Sequence, residues 1–378
     1  MKKTWEHKKL GEVLTLEYGK PLLPDQRKSD GKYPVYGANG IKDRTDGYFY
    51  DKPSIIIGRK GSAGEINLTE EKFWPLDVTY YVVYDQKKYD RKFLFYLLRN
   101  LQLQKLAKGV KPGINRNDVY AIKVDIPPLP EQQRIVDILD QSFAAIDQAI
   151  ENTEKNLENT KLVFSNYLQS IFSKKNHGWK EQKISDVALI KGGKRVPKGY
   201  KLRTSPTKHP YIRVTDFNDY GSVNLEDIHY IDDQIFEQIK RYTISTNDLY
   251  ISIAGTIGKS GIIPKELDGA NLTENACKLE FKTSINPKFI YYFTKSNLFL
   301  DQAGLNTRTA AMPKLALSRL GTIKLSLPLD LQEQNNYVEK IDEISKYIQK
   351  LQIYYNQKIE KLQELKQSII HKAFTGEL

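Results

Sequence analysis

Basic and amide side chains in glycine-rich turns are the residues of this chain with the most chemistry to offer. In the first third they are Lys20, Arg59, Lys60, Lys111, Asn115 and Arg116; beyond the midpoint they are Lys194, Arg195, Arg213, Lys259, Arg308 and Lys314. A glycine-rich turn lets the backbone approach a phosphate, and a long side chain on it reaches base edges. Arginine's planar fork matches the two acceptors of guanine. The pattern points to contact with a nucleic acid, mostly through phosphate. For each residue taken singly, a solvated surface charge is the ordinary alternative.

Residues for catalysis or metal binding are scarce. The five histidines, His7, His177, His209, His229 and His371, show no metal-ligand spacing and read as surface or capping residues. Gly255 to Ser260 reads GTIGKS, close to a phosphate-binding loop, but that motif needs glycine where Ile253 stands, so a tight turn after a strand is expected. An adenine methyltransferase would need an Asn/Asp-Pro-Pro-aromatic loop. Here the only Pro-Pro, at 127 and 128, precedes Leu129. A single cysteine, Cys277, excludes an intramolecular disulfide. No cofactor and no metal is expected in this chain.

The elements that would position the basic residues are repeated. WEHKKLGEVLTLEYGK from Trp5 matches WKEQKISDVALIKGGK from Trp179, at an offset of 174 residues. YPVYGANG from Tyr33 faces HPYIRVTD from His209, IIIGRKGSAG from Ile55 faces LYISIAGTIG from Leu249, and KFLFYL from Lys92 faces KFIYYF from Lys288. LPEQQ from Leu129 faces LQEQN from Leu331. The order never changes, so a whole unit is duplicated, a globular domain followed by a long helix. Short Val-, Ile-, Tyr- and Phe-rich strands broken by Gly, Asn and Pro turns mix with one or two helices, which predicts an α+β class.

Prolines 127, 128 and 130 and Glu131 mark the start of the first long helix. From there Val136, Leu139, Phe143, Ile146, Ile150, Thr153, Leu157, Thr160, Phe164, Tyr167 and Ile171 alternate three and four residues apart, a coiled-coil seam. Tyr337, Ile341, Ile344, Ile348, Leu351, Tyr355, Leu362, Leu365 and Ile369 carry the same spacing in the second copy, with Lys358 interrupting it. Each helix would be about 60 Å long. A seam between two separate chains is possible from spacing alone; two copies in one chain argue instead that each supplies the other's partner. The second start lacks the double proline, having Asp330 and Gln332, and is expected to be less sharply fixed.

The expected organisation is two pseudo-symmetric globular domains, 1–128 and 176–330, separated by a long antiparallel two-helix coiled coil, 129–175 and 331–378. Charge follows that division. Of the formal net charge of +12, the globular segments carry +8 and +6, whereas the helices carry −2 and 0. The globular parts are thus the ones suited to a polyanion. No signal peptide and no apolar run of membrane-spanning length is read, which suggests a cytoplasmic protein without a membrane partner.

PPLPEQQRIVDILD, its degenerate copy LQEQNNYVEKIDEI, the AFTGEL end, and the YGANG and IGRKGSAG stretches resemble the specificity subunits of type I restriction-modification systems, across essentially the whole chain. The resemblance implies two target-recognition domains, each reading half of a bipartite, gapped sequence in double-stranded DNA. It implies that the helices set the spacer and recruit two methyltransferase (modification) subunits. Those partners would carry S-adenosylmethionine and methylate adenine, with restriction subunits joining the full complex. On this reading the chain is a non-catalytic recognition subunit. The rival readings are a self-contained DNA-modifying enzyme and a coiled-coil adaptor without DNA specificity.

Overall fold

The computed structural model describes residues 5–174, 177–282, 284–305 and 314–378. It is α+β, as expected, and divides into two units. One comprises residues 1–154 with 357–378, the other residues 155–356. Both divisions fall inside long helices, so each helix contributes one part to each unit.

In the first unit the strands are β1 (Glu6–Lys9), β2 (Leu14–Tyr18), β3 (Tyr33–Gly37), β4 (Gly40–Thr45), β5 (Ser54–Gly58), β6 (Ile66–Thr69), β7 (Trp74–Pro75), β8 (Thr79–Tyr84) and β9 (Lys123–Ile126). The helices are α1 (Leu10–Val13), α2 (Arg91–Asn100), α3 (Arg116–Tyr120) and α4 (Leu129–Phe172). The sheets run β2-β8-β5-β6, β4-β3-β7 and β1-β9.

The second unit has β10 (Trp179–Lys183), β11 (Ala188–Gly192), β12 (His209–Ile212), β13 (His229–Ile231), β14 (Leu249–Ser252), β15 (Ser260–Gly261), β16 (Asn271–Leu272), β17 (Ala276–Phe281) and β18 (Lys324–Pro328). Its helices are α5 (Ile184–Val187), α6 (Asp233–Ile239), α7 (Pro287–Thr294), α8 (Asn297–Ala303), α9 (Leu317–Thr322) and α10 (Leu331–Thr375). Its sheets run β11-β17-β14-β15, β13-β12-β16 and β10-β18, the same three patterns, including one parallel pairing in the three-stranded sheet.

The reason is the repeated apolar pattern. β5, with Ile55 and Ile57 wholly buried, is one of the two inner strands of its sheet, as β14 is in the other with Leu249 and Ile251. Phe93 and Leu94 of α2 close the first core, and Phe289 and Ile290 of α7 close the second. Cys277, on β17, is fully buried, and burial pushes its thiol up to about 12. A thiolate is the reactive form, so the native chain is expected to resist a thiol reagent at pH 8 and to titrate one thiol per chain once denatured. Modification of the native chain at the rate of a free thiol would contradict this burial.

The LPEQQ and LQEQN stretches prove to be joints. Gln132 accepts from the Asp90 N–H (2.8 Å) and donates to the Lys88 and Pro127 carbonyls (3.0 and 2.9 Å). Gln334 accepts from the Asn286 N–H (2.8 Å) and donates to Ser284 and Pro328 (3.1 and 3.0 Å). Both glutamines are essentially inaccessible, at 1% and 0%. Two turns further on, Asp140 binds Lys92 (2.6 Å) and the Tyr96 hydroxyl, and Asp342 binds Lys288 (2.6 Å) and the Tyr292 hydroxyl. The same clamp ties each globular part to its long helix. The second start is as well marked as the first, because the Asp330 carboxylate accepts from the Gln332 N–H (3.0 Å) in the manner of an N-cap.

On α4, Leu139, Phe143, Ile146 and Ile171 are buried, and Ile150, Leu157 and Phe164 are half-buried. In the first unit the two helices run antiparallel: Arg134 donates to the Leu378 carbonyl (2.9 Å) and Asp147 pairs with Lys366 (2.7 Å). In the second unit Leu168, Ile171 and Phe172 share a core with Val338 and Ile341. On α10, Ile341 is buried, and Ile344, Ile348, Tyr355, Leu362 and Ile369 are half-buried. Leu351 and Leu365, expected on the seam, are instead 42% and 46% exposed. Gln352, Ile359 and Lys366 are half-buried where the expected Leu351, Lys358 and Leu365 are exposed, so at these three positions the seam is displaced by one residue, whereas Tyr337 packs on the second core as expected. Lys366 earns its place by pairing with Asp147 and lying over the Phe143 ring at 4.8 Å.

Candidate nucleic-acid interface

In the first unit three loops are laced together by backbone bonds. The Gly61 N–H donates to Pro112 (3.0 Å), the Ile114 N–H to Arg59 (3.0 Å) and the Arg59 N–H to Val78 (2.8 Å); the Lys20 N–H donates to Pro75 (2.8 Å) beside them. Lys60 bridges to Gly113. The loops carrying Lys20, Arg59, Lys60, Lys111, Asn115 and Arg116 are thus brought together, and Lys20, Lys60, Lys111 and Asn115 are exposed.

Tyr18, not anticipated from the sequence, is the centre of that group. The Arg59 and Arg116 guanidiniums each lie 5.2 Å from its ring centroid, and Tyr80 packs against it at 5.1 Å. Burial, together with the Tyr18 hydroxyl, pushes the Tyr80 phenol up to about 12. Arg59 is braced by two donations to the Asp77 carbonyl (3.0 and 2.6 Å). Among the described residues the Arg116 guanidinium has no hydrogen-bond or ion-pair partner. The Asn115 side-chain oxygen caps α3 by accepting from the Asn117 N–H (2.8 Å), while the residue itself stays exposed.

The second unit gathers a smaller set. Arg195 pairs with the Glu274 carboxylate (2.5 Å), and Lys314 donates to the Glu274 carbonyl (3.4 Å). Lys194 is joined to this turn by donation from its N–H to Leu272 (2.8 Å), and its ammonium lies over Tyr242 at 5.8 Å. Arg213 is engaged within its own unit. It is bound to the buried Asp216 (2.6 Å), the Asp227 carbonyl (3.0 Å) and His229 (3.3 Å), which makes it an internal ion pair. Lys259 is likewise held, by Asp219 (2.8 Å) and the Phe217 carbonyl (3.3 Å). Arg308 lies outside the described residues.

Arg241, like Tyr18, was not singled out from the sequence. It is exposed, and among the described residues nothing pairs with it. It stands at an opening of about 420 Å³ lined also by Lys191, Gly192, Gly193, Tyr242 and Lys278. The signal was present as the basic-aromatic run Lys240-Arg241-Tyr242. Among the described residues no group of acidic, histidine or cysteine side chains could hold a metal ion, and no helix is long and apolar enough to cross a membrane.

A family model, the type I restriction modification DNA specificity domain, matches residues 2–159 and again 176–363. The specificity subunit of the type I restriction enzyme EcoBI of Escherichia coli is 22% identical, over 95% of this chain and 80% of its own length. A putative type I restriction enzyme specificity subunit of Haemophilus influenzae is 26% identical, over 89% of this chain and 86% of its own. Among solved structures, a chain from work on complex assembly and conformational transition of the type I R-M system aligns with a TM-score of 0.79 at 19% identity, covering 100% of this chain and 99% of that one. The HsdS subunit from Thermoanaerobacter tengcongensis aligns at 0.58 and 18% identity, covering 100% and 98%.

Proposed function

Because the chain belongs to the type I restriction modification DNA specificity family, we propose that its two units read the two halves of a bipartite, gapped target in double-stranded DNA. The chain is a specificity subunit that works with DNA and with other components of a type I system. The finer reading assigns it two modification subunits, with restriction subunits in the full complex, and leaves methyl transfer and its S-adenosylmethionine to those partners. α4 and α10 set the interval between half-sites; both run unbroken through the divisions between units.

The observation that carries this reading is one fold present twice, each copy gathering exposed cations from its glycine-rich turns, some at matching positions and others not. A single duplex presents the same phosphates to both copies and different bases to each. The outward side of α10 supports the docking role. Tyr347, Leu351 and Tyr354, spaced four and three residues apart, are 59%, 42% and 57% exposed, an apolar stripe on the helix side away from the seam.

Methylome sequencing of cells expressing the chain with its modification partner, against cells lacking only this chain, tests the proposal. A gapped, adenine-methylated motif that disappears with the chain is expected. Unchanged methylation, with the complex formed, would leave an adaptor role instead.

A further inference from the structure

The strand pairings and backbone bonds of the two units correspond position by position around the turns, which separates the cations they share from those they do not. Lys20 and Lys194 are equivalent. Each follows a glycine, donates its N–H to the carbonyl of the last residue of the strand in the same parallel pairing (Pro75 or Leu272, 2.8 Å in both), and lies over an aromatic ring, Phe49 at 5.1 Å or Tyr242 at 5.8 Å. The preceding glycine is required in both units for the same reason. A Cβ on Gly19 would lie 2.1 Å from the Leu76 carbonyl oxygen, and one on Gly193 would lie 2.1 Å from that of Thr273.

The neighbouring positions diverge. Tyr18 pairs with Tyr80 across β2 and β8, and the matching pair across β11 and β17 is Gly192 and Cys277. Arg59 accepts from Ile114, and its counterpart Ile253 accepts from Leu315 (2.8 Å). Arg116 opens α3 over Tyr18, and its counterpart Leu317 opens α9 with a methyl 3.6 Å from where a Cβ on Gly192 would sit. An arginine-tyrosine stack in one unit is thus a leucine over a glycine in the other. There the missing ring leaves the opening at which Arg241 stands. Arg241 itself comes from residues 232–248, which include α6; the corresponding link in the first unit, residues 46–53, has no helix.

We infer that Lys20 and Lys194 are the shared phosphate contacts of the two half-sites, and that Arg116 and Arg241 are their separate base readers, each directed at a guanine. This rests on the DNA-specificity reading above. Phosphates are alike along any duplex, so contacts that fix register belong at positions the two units keep. Base edges differ between half-sites, so readers belong where the units differ. Both arginines have unpaired guanidinium forks, whose parallel donors match guanine O6 and N7. Tyr18 places its ring 5.2 Å from the Arg116 guanidinium, and Arg59, already donating twice to Asp77, contacts the same ring.

The test uses the full chain assembled with its modification subunit and duplex libraries randomised at each target position. Arg116→Ala is expected to lose about 10- to 100-fold discrimination at a G·C pair in one half-site, and Arg241→Ala the same in the other. Arg116→Lys, which keeps the charge but not the fork, should retain affinity and lose the same discrimination. Lys20→Ala and Lys194→Ala should weaken binding to all duplexes alike and reduce the slope of log K against log salt by about one, with the motif unchanged. Unaltered base preference in both arginine variants, or a changed motif in either lysine variant, would overturn the assignment. A wild-type complex with no preference at any position would instead remove the specificity reading on which it rests.

Discussion

Gln132→Leu is expected to lower the melting temperature of the first unit by roughly 6–12 °C, although leucine matches glutamine in size and is the more apolar side chain. The loss is one of satisfaction. Gln132 is 1% exposed and serves one donor and two acceptors, the Asp90 N–H and the Lys88 and Pro127 carbonyls. Leaving a buried polar group unmet costs about 1–3 kcal/mol, so three of them, partly relieved by relaxation, cost about 3 kcal/mol. For a unit of 150–250 residues each kcal/mol moves the midpoint about 2–4 °C.

Gln334→Leu should act equally on the second unit, where Asn286, Ser284 and Pro328 lose the same bonds. Cys277 exposure reports that unit alone, so earlier thiol release is expected in Gln334→Leu and not in Gln132→Leu. Gln132→Glu adds a check with a sign. A buried carboxyl has a folded pKa raised above its unfolded value, so its penalty is full above the folded pKa and relieved as pH falls below it. The Glu variant should therefore recover stability relative to wild type between pH 8 and pH 5, whereas Leu should not. A midpoint within 1 °C of wild type for Gln132→Leu would show that the joint is not where the helix is held.

This joint also marks the limit of what the sequence conveys. The LPEQQ and LQEQN stretches were legible as helix starts, because proline, acid and apolar spacing each have local consequences. That the glutamine is buried was not legible, because two of its three partners lie some 40–50 residues away along the chain and a polar side chain reads as surface. The seam of α4 could be read because its inward positions are mostly apolar. On α10, Gln352 and Lys366 are half-buried while Leu351 and Leu365 are exposed, so hydrophobicity pointed to the wrong residue at those positions. The basic set fared similarly. Turn residues such as Lys20 and Lys60 stand exposed without local side-chain partners, but Asn115 and Arg213 each have a hydrogen-bonding partner two or three residues on, Asn117 and Asp216. Short-range partnership of this kind is visible in sequence and is the better criterion for setting a charged residue aside.

The inversion on α10 leads to the other large effect. If the second helix directs Tyr347, Leu351 and Tyr354 outward to receive a modification subunit, the triple change to Asp should abolish assembly while sparing the fold. Fully burying such side chains against a partner contributes about 1.5–3 kcal/mol each, and an aspartate placed there must also be desolvated. A loss beyond about 4 kcal/mol is expected, on the order of 1,000-fold in affinity. The three side chains are 42–59% exposed, and surface substitutions of this kind usually change stability by within about 0.5 kcal/mol each. The melting profile should therefore move only by a few degrees. Ile348→Asp, on the inward series between Tyr347 and Leu351, should behave oppositely, lowering the midpoint of the second unit because a charge replaces a half-buried apolar contact. Size-exclusion chromatography of the chain mixed with its modification subunit, beside thermal melts of the chain alone, distinguishes the two. Assembly undiminished in the triple variant would mean that the partner binds elsewhere, and that the displaced apolar positions of α10 have some other use.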